Sequence, residues 1–113
     1  MAGLQIEIDK RDEGVVITRL VGEAGVANLD DMERQLNRIQ AMKPPLLVID
    51  CSGLTLIASI GMGALVSLNS TVNRAGGVMR LAGVNEQVFT ALQRAKLHEV
   101  FELCDDVDAA LSA

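Results

Sequence analysis

The sequence predicts an α/β domain on a mixed, mainly parallel sheet of four to five strands, with an N-terminal β-hairpin and about four helices. Three observations carry that expectation. Two stretches patterned as strands, "LQIEID" (4–9) and "VVITRLVG" (15–22), are separated by a short turn ending in glycine. Apolar runs then alternate with stretches whose apolar residues recur at spacings of three and four, the order of a β-α-β chain. One of those runs, "LLVID" (46–50), is apolar almost without interruption, as suits a strand buried on both faces.

The elements follow in order. "KRDEG" is the turn of an antiparallel hairpin formed by the first two strands. Asn28 is placed to cap a first helix, with Asp30, Asp31 and Glu33 in its opening turns, where the helix dipole favours negative charge. Leu29, Met32, Leu36 and Ile39 form a single apolar stripe along it, and Pro44 and Pro45 end it. After "LLVID" comes a polar turn and a second helix over 60–75, with Met62, Leu65, Leu68, Val72 and Ala75 facing inward and Gly76 and Gly77 as its stop. "VMRLAGV" returns to strand, Asn85 caps a third helix running to about Lys96, and "EVFEL" (99–103) makes a short last strand. "DDVDAALSA" closes the chain as a helical turn or two, its acids at the N-terminal end. Alternating strands and helices imply right-handed crossovers and a parallel sheet beyond the hairpin.

The chain has 113 residues, the size of one domain, so 1–113 reads as a single unit. Half of its residues are hydrophobic, yet only two are aromatic, both Phe, so the core is expected to be aliphatic. A formal charge of −5 and the lack of aromatic platforms weigh against nucleic acid as a partner. No apolar run approaches the roughly 18 to 20 residues of a membrane span, and the N-terminus has no signal-peptide core, which makes the cytoplasm the expected compartment. Cys51 and Cys104 are then expected as free thiols. With one histidine and two distant cysteines, no structural zinc motif can be written, and no metal or cofactor is expected.

The chemistry-bearing candidates concentrate in "VIDCSGLTLIASIGMGAL" (48–65). Gly61 and Gly63 offer G-x-G before a helix, but position 66 is Val where a dinucleotide fingerprint needs its third glycine. Ser59 stands in I-A-S-I-G rather than G-x-S-x-G, and nothing near the single histidine, His98 in "KLHEVF", marks it as oriented by a carboxylate. The acid pairs Asp30/Asp31 and Asp105/Asp106 both fall where helix N-termini favour negative charge. These readings weigh against an enzyme. Ser59 is expected as an N-cap. Along the helix from Ser59, Gly63, Ser67, Ser70 and Arg74 share its face, a strip of mostly small residues bordered by Ile60. Since a helical glycine costs roughly 1 kcal/mol against alanine, that strip wants a reason. Close approach of another protein is one; tight packing within the domain is the other.

The element order, the 48–65 segment, "GGVMRLAGV" and the ending "LHEVFELCDDVDAAL" together make nearly the whole chain similar to STAS domains, the family of bacterial anti-sigma factor antagonists. The family pattern D-x-S-G-V-x-x-x-D-S-S-G-L-G is met here by D-C-S-G-L-T-L-I-A-S-I-G-M-G, with Asp50, Ser52, Gly53, Ser59, Gly61 and Gly63 matching. Ala58 replaces the family's aspartate and Ile60 its second serine. The resemblance implies that Ser59 is phosphorylated by a serine kinase of the GHKL type that is also an anti-sigma factor. It implies that the unphosphorylated form binds that kinase and frees the sigma factor. Ser59, Ile60, Gly61, Met62, Gly63, Ser67 and Ser70 are the residues expected at the contact. The family also includes STAS subunits of lipid-transporting ABC systems and domains of stress-signalling assemblies, which would use the same turn and helix differently.

Overall fold

In the structure, a computed structural model describing residues 3–112, strand alternation assigns side chains to two unequal faces of one sheet. The sheet comprises β1 (Leu4–Lys10), β2 (Val16–Ala24), β3 (Leu46–Ile57), β4 (Val78–Ala82) and β5 (Glu102–Cys104), ordered as in the chain. β1 and β2 pair antiparallel, with Leu4 opposite Gly22 and Lys10 opposite Val16. The remaining neighbours are parallel. The helices are α1 (Leu29–Ala41), α2 (Ser59–Arg74), α3 (Glu86–Arg94) and α4 (Val107–Ser112), with single 3-10 turns at Asp12–Gly14 and Val26–Asn28. The expected order of strands and helices is the observed one.

Each crossover steps to the next strand in the same direction, so right-handedness puts α1, α2 and α3 on one face. There the α1 stripe (Met32, Leu36, Ile39), the α2 stripe (Met62, Leu65, Leu68, Val72) and Val88 and Leu92 of α3 meet Leu20, Leu47, Ile49 and Leu81 of the sheet. Phe101 is the one buried aromatic among the described residues, so this core is aliphatic. α4 covers part of the other face, where Ile17, Val48, Ala82 and Ala110 form a smaller cluster. Arg80 anchors α4 there: its Nη1 donates to the Ala110 carbonyl at 2.9 Å and its Nε pairs with Glu102 at 3.0 Å.

Several expectations shift. The largest concerns β3, which does not end at Asp50 but runs through the polar stretch to Ile57. Asp50 is the last β3 residue paired with β4, opposite Ala82. β2 continues alongside, however, with Ala24 opposite Ile57 after two register irregularities. Gly53 fits this ladder because a Cβ there would stand 3.0 Å from Val21 Cγ2. Asn28 precedes α1 but makes no side-chain cap; its Nδ2 donates instead to the Glu23 carbonyl at 2.8 Å. Ala75 is exposed rather than inward, because α2 ends at Arg74 and the chain turns out through Gly76 at φ 92°. α3 stops at Arg94, with Lys96 at φ 60°, and the last strand begins three residues later than read, at Glu102.

Candidate functional site

The site stands at the C-terminal ends of β2 and β3, which is where parallel strands of an open sheet deliver their loops. β3 carries the chain past β4 to Ile57, and Ala58 donates its N–H to the Ala24 carbonyl of β2 at 2.9 Å. That hydrogen bond places the start of α2 directly above the end of β2. Ala58, extended at φ −83° and ψ 163°, is the N-cap, and its carbonyl accepts the Met62 N–H at 3.0 Å. Ser59 is therefore the first residue inside the helix and not its cap, a correction to the sequence reading. An alanine at the N-cap has no side-chain acceptor, so no side chain caps the first turn.

The residues read as a contact separate into two groups. Ser59, Gly63, Ser67 and Ser70 are exposed along one side of α2, with Ile60 beside them at 43 % exposure. Gly61 and Met62 are buried. Met62 points into the aliphatic core with Leu65 and Leu68, so its side chain does not belong to an outward-facing contact. A Cβ on Gly61 would stand 2.9 Å from the Ala24 carbonyl oxygen, 3.3 Å from the Ala24 Cβ and 3.3 Å from Ile57 Cγ1. Gly61 thus lets helix and strand approach, which is packing inside the domain. Gly63 differs: nothing lies within 4 Å of a Cβ built there. Of the two explanations for small residues on this helix, domain packing accounts for Gly61 and leaves Gly63 unexplained.

Sequence reasoning missed two further features of this end. Val26, 75 % exposed on the turn after β2, and Leu56, 40 % exposed near the end of β3, lie on segments flanking the α2 start. Val26 was detectable as an apolar residue outside any periodic stripe, between Gly25 and Ala27. The second feature is a groove of about 390 Å³ between α1 and α2, to which Glu33, Asn37 and Gln40 contribute from α1.

Asp50, first residue of the motif, is buried on the opposite face of the sheet from α2. It pairs with Arg19 of β2 at 3.4 Å and accepts the Ser52 N–H at 3.0 Å. Its role here is to fix the β2–β3 register rather than to touch Ser59's surroundings. Ser52 and Thr55 are exposed, with the Thr55 hydroxyl donating to the Gly22 carbonyl at 3.0 Å. His98 packs edge-on against Phe89, ring centroids 6.0 Å apart, and its buried Nδ1 has no hydrogen-bond partner. Asp106 accepts the Ala109 N–H at 2.8 Å at the start of α4. Among the described residues no three His, Cys, Asp or Glu side chains gather as a metal site, and no helix is long and apolar enough to cross a membrane. Both cysteines are free; burial, with the Asp50 charge adding to it, pushes the Cys51 thiol up to about 12.

Residues 6–110, from the first strand to α4, match the model of the STAS domain. The chain belongs to the STAS domain family. Solved structures of similar form include an anti-sigma factor antagonist from Mycobacterium paratuberculosis, 22 % identical, TM-score 0.88, covering 97 % of this chain and 92 % of that one. Another is a sulfate transporter family protein from Wolinella succinogenes, 23 % identical, TM-score 0.76, covering 92 % and 87 %. A third is the Bacillus cell fate determinant SpoIIAA in its phosphorylated form, 13 % identical, TM-score 0.73, covering 96 % and 97 %. At such identities these likenesses establish the STAS fold.

Proposed function

We propose that this STAS protein is an anti-sigma factor antagonist. It binds a serine-kinase anti-sigma factor of the GHKL type through the Ser59 end of α2, releasing a sigma factor, and phosphorylation of Ser59 turns the contact off. The observation that supports this most is the exposure of Ser59 as the first residue of α2, beside Ile60 and the open space over Gly63. A kinase can reach the hydroxyl without unfolding the domain, and a docked surface can close over the same spot. The likeness to SpoIIAA, known in a phosphorylated form, supports regulation of this fold by phosphorylation. On this reading the protein is a substrate and binding partner acting in the cytoplasm, and not an enzyme.

The test is affinity capture from the native cell with the whole chain as bait. A GHKL-type serine kinase is expected, and incubation with that kinase and ATP should place one phosphate on Ser59 by peptide mapping. Phosphate on Ser52 or Thr55, or none from an active kinase, overturns the switch. A second reading is a STAS subunit of a lipid-transporting ABC system or of a stress-signalling assembly, and the likeness to a sulfate transporter family protein favours its transport form. Capture of an ATPase or transporter subunit in place of a kinase would select it.

A further inference from the structure

We propose that the groove between α1 and α2 is part of the partner-docking surface and receives a cationic helix of the kinase, with a lysine or arginine set against Glu33. This rests on the reading of the chain as a kinase-binding antagonist and extends the contact from α2 onto α1. The groove has Glu33, Asn37 and Gln40 on one wall and Ile60, Gly63 and Ser67 on the other. Its lining runs from Glu33 to Gln40 on α1 and from Ile60 to Leu68 on α2, roughly 10–12 Å at the α-helical rise, or two turns of an occupant. The α2 wall is kept low at Gly63, where an added Cβ would meet nothing within 4 Å. The domain's own packing therefore does not use that space.

The walls define the occupant. Glu33 is the one charged residue lining the groove, and it forms no ion pair with any described residue. Asp30, exposed one turn earlier on the same side of α1, extends the acidic end towards the start of α2. Ile60 adds an apolar contact on the opposite wall, and the far end is lined by the amides of Asn37 and Gln40 and the hydroxyl of Ser67. A purely apolar segment would leave Glu33 and those amides unpaired. A helix with a basic residue and an apolar one at its leading end, and polar residues behind, satisfies both walls.

The probe is the captured kinase, titrated calorimetrically against the whole chain and its variants. Glu33→Lys and Asn37→Arg alter exposed positions, so their melting should match the parent. Glu33→Lys is expected to weaken binding at least tenfold, Glu33→Gln several-fold, with a shallower dependence of affinity on salt in both. Unchanged affinity for Glu33→Lys and Asn37→Arg, in a chain whose Gly63→Arg variant no longer binds, overturns the groove and leaves the α2 contact standing. Failure of the parent chain to bind any such kinase overturns both.

Discussion

The Ala24 carbonyl oxygen and Gly61 approach so closely that a Cβ on Gly61 would stand 2.9 Å from it, while Gly63, two residues on, faces open space. The first glycine serves the fold and the second leaves room outside it. Gly61→Ala should therefore push α2 off the end of β2 and cost about 1–3 kcal/mol in urea unfolding. Gly63→Ala should gain about 0.5–1 kcal/mol from helix propensity. Gly63→Arg should fold as well as the parent and fail to bind the kinase. A stable Gly61→Ala or an unfolded Gly63→Arg would reverse the assignment.

Ser59 lies inside the helix, so Ser59→Ala is expected to change stability by less than about 0.5 kcal/mol, whereas loss of a true cap costs 0.5–2. Ala58→Asp, which supplies the missing cap, should add about 1 kcal/mol. A phosphate on Ser59 meets the positive end of α2, worth about 0.3–1 kcal/mol, so the phosphorylated domain should melt no lower than the parent. Against a docked partner the same charge costs several kcal/mol, and each 1.4 kcal/mol is tenfold in affinity. Ser59→Asp should accordingly keep the fold and bind weakly, and Ser59→Ala should bind and take no phosphate. Circular dichroism melts beside calorimetric titration separate the two effects.

Asn85 holds α3 in two ways. Its Oδ1 accepts the Val88 N–H at 2.8 Å as the N-cap, and its Nδ2 donates to the Leu54 carbonyl of β3 at 2.7 Å. Asn85→Ala removes both and should cost about 2 kcal/mol by denaturant unfolding. Asn85→Ser, which restores the cap alone, should recover part of that. Full recovery in Asn85→Ser would count against the second bond, and equal losses in the two variants would count against the cap.

Cys51 sets an alkaline limit. Its folded thiol titrates at about 12, above the ordinary value of 9.0, because burial and the nearby Asp50 charge disfavour the thiolate. A raised folded pKa means that the unfolded chain loses its proton first. The stabilisation is complete below pH 9 and declines as pH rises towards 12, by up to about 1.4 kcal/mol per unit. The chain has no tyrosine to obscure this window. Urea midpoints measured from pH 8 to 10.5 should fall, and fall less in Cys51→Ala. Alkylation at pH 8 without reductant should label Cys104 first and Cys51 only as the domain unfolds.

Patterning along the chain determined the element order, the inward stripes of α1 and α2, the aliphatic core and the cap at Asn85. Each of these depends on residue types at local spacings that a helix or strand turns into a face. The family likeness was legible for the same reason: Asp50, Ser52, Gly53, Ser59, Gly61 and Gly63 keep their places in one unbroken segment. What surrounds those residues was not local. β3 runs on to Ile57 because β2 offers a partner there after β4 has ended. Ser59 becomes the first helical residue instead of the cap because the Ala58 N–H is held by the Ala24 carbonyl, 34 positions earlier in the chain. Gly61 and Gly63 look alike in sequence and differ in space, since a helix turns about 200° in two residues and sets one against β2 and the other towards solvent. Only the packed domain decided which glycine was structural and which left a surface open.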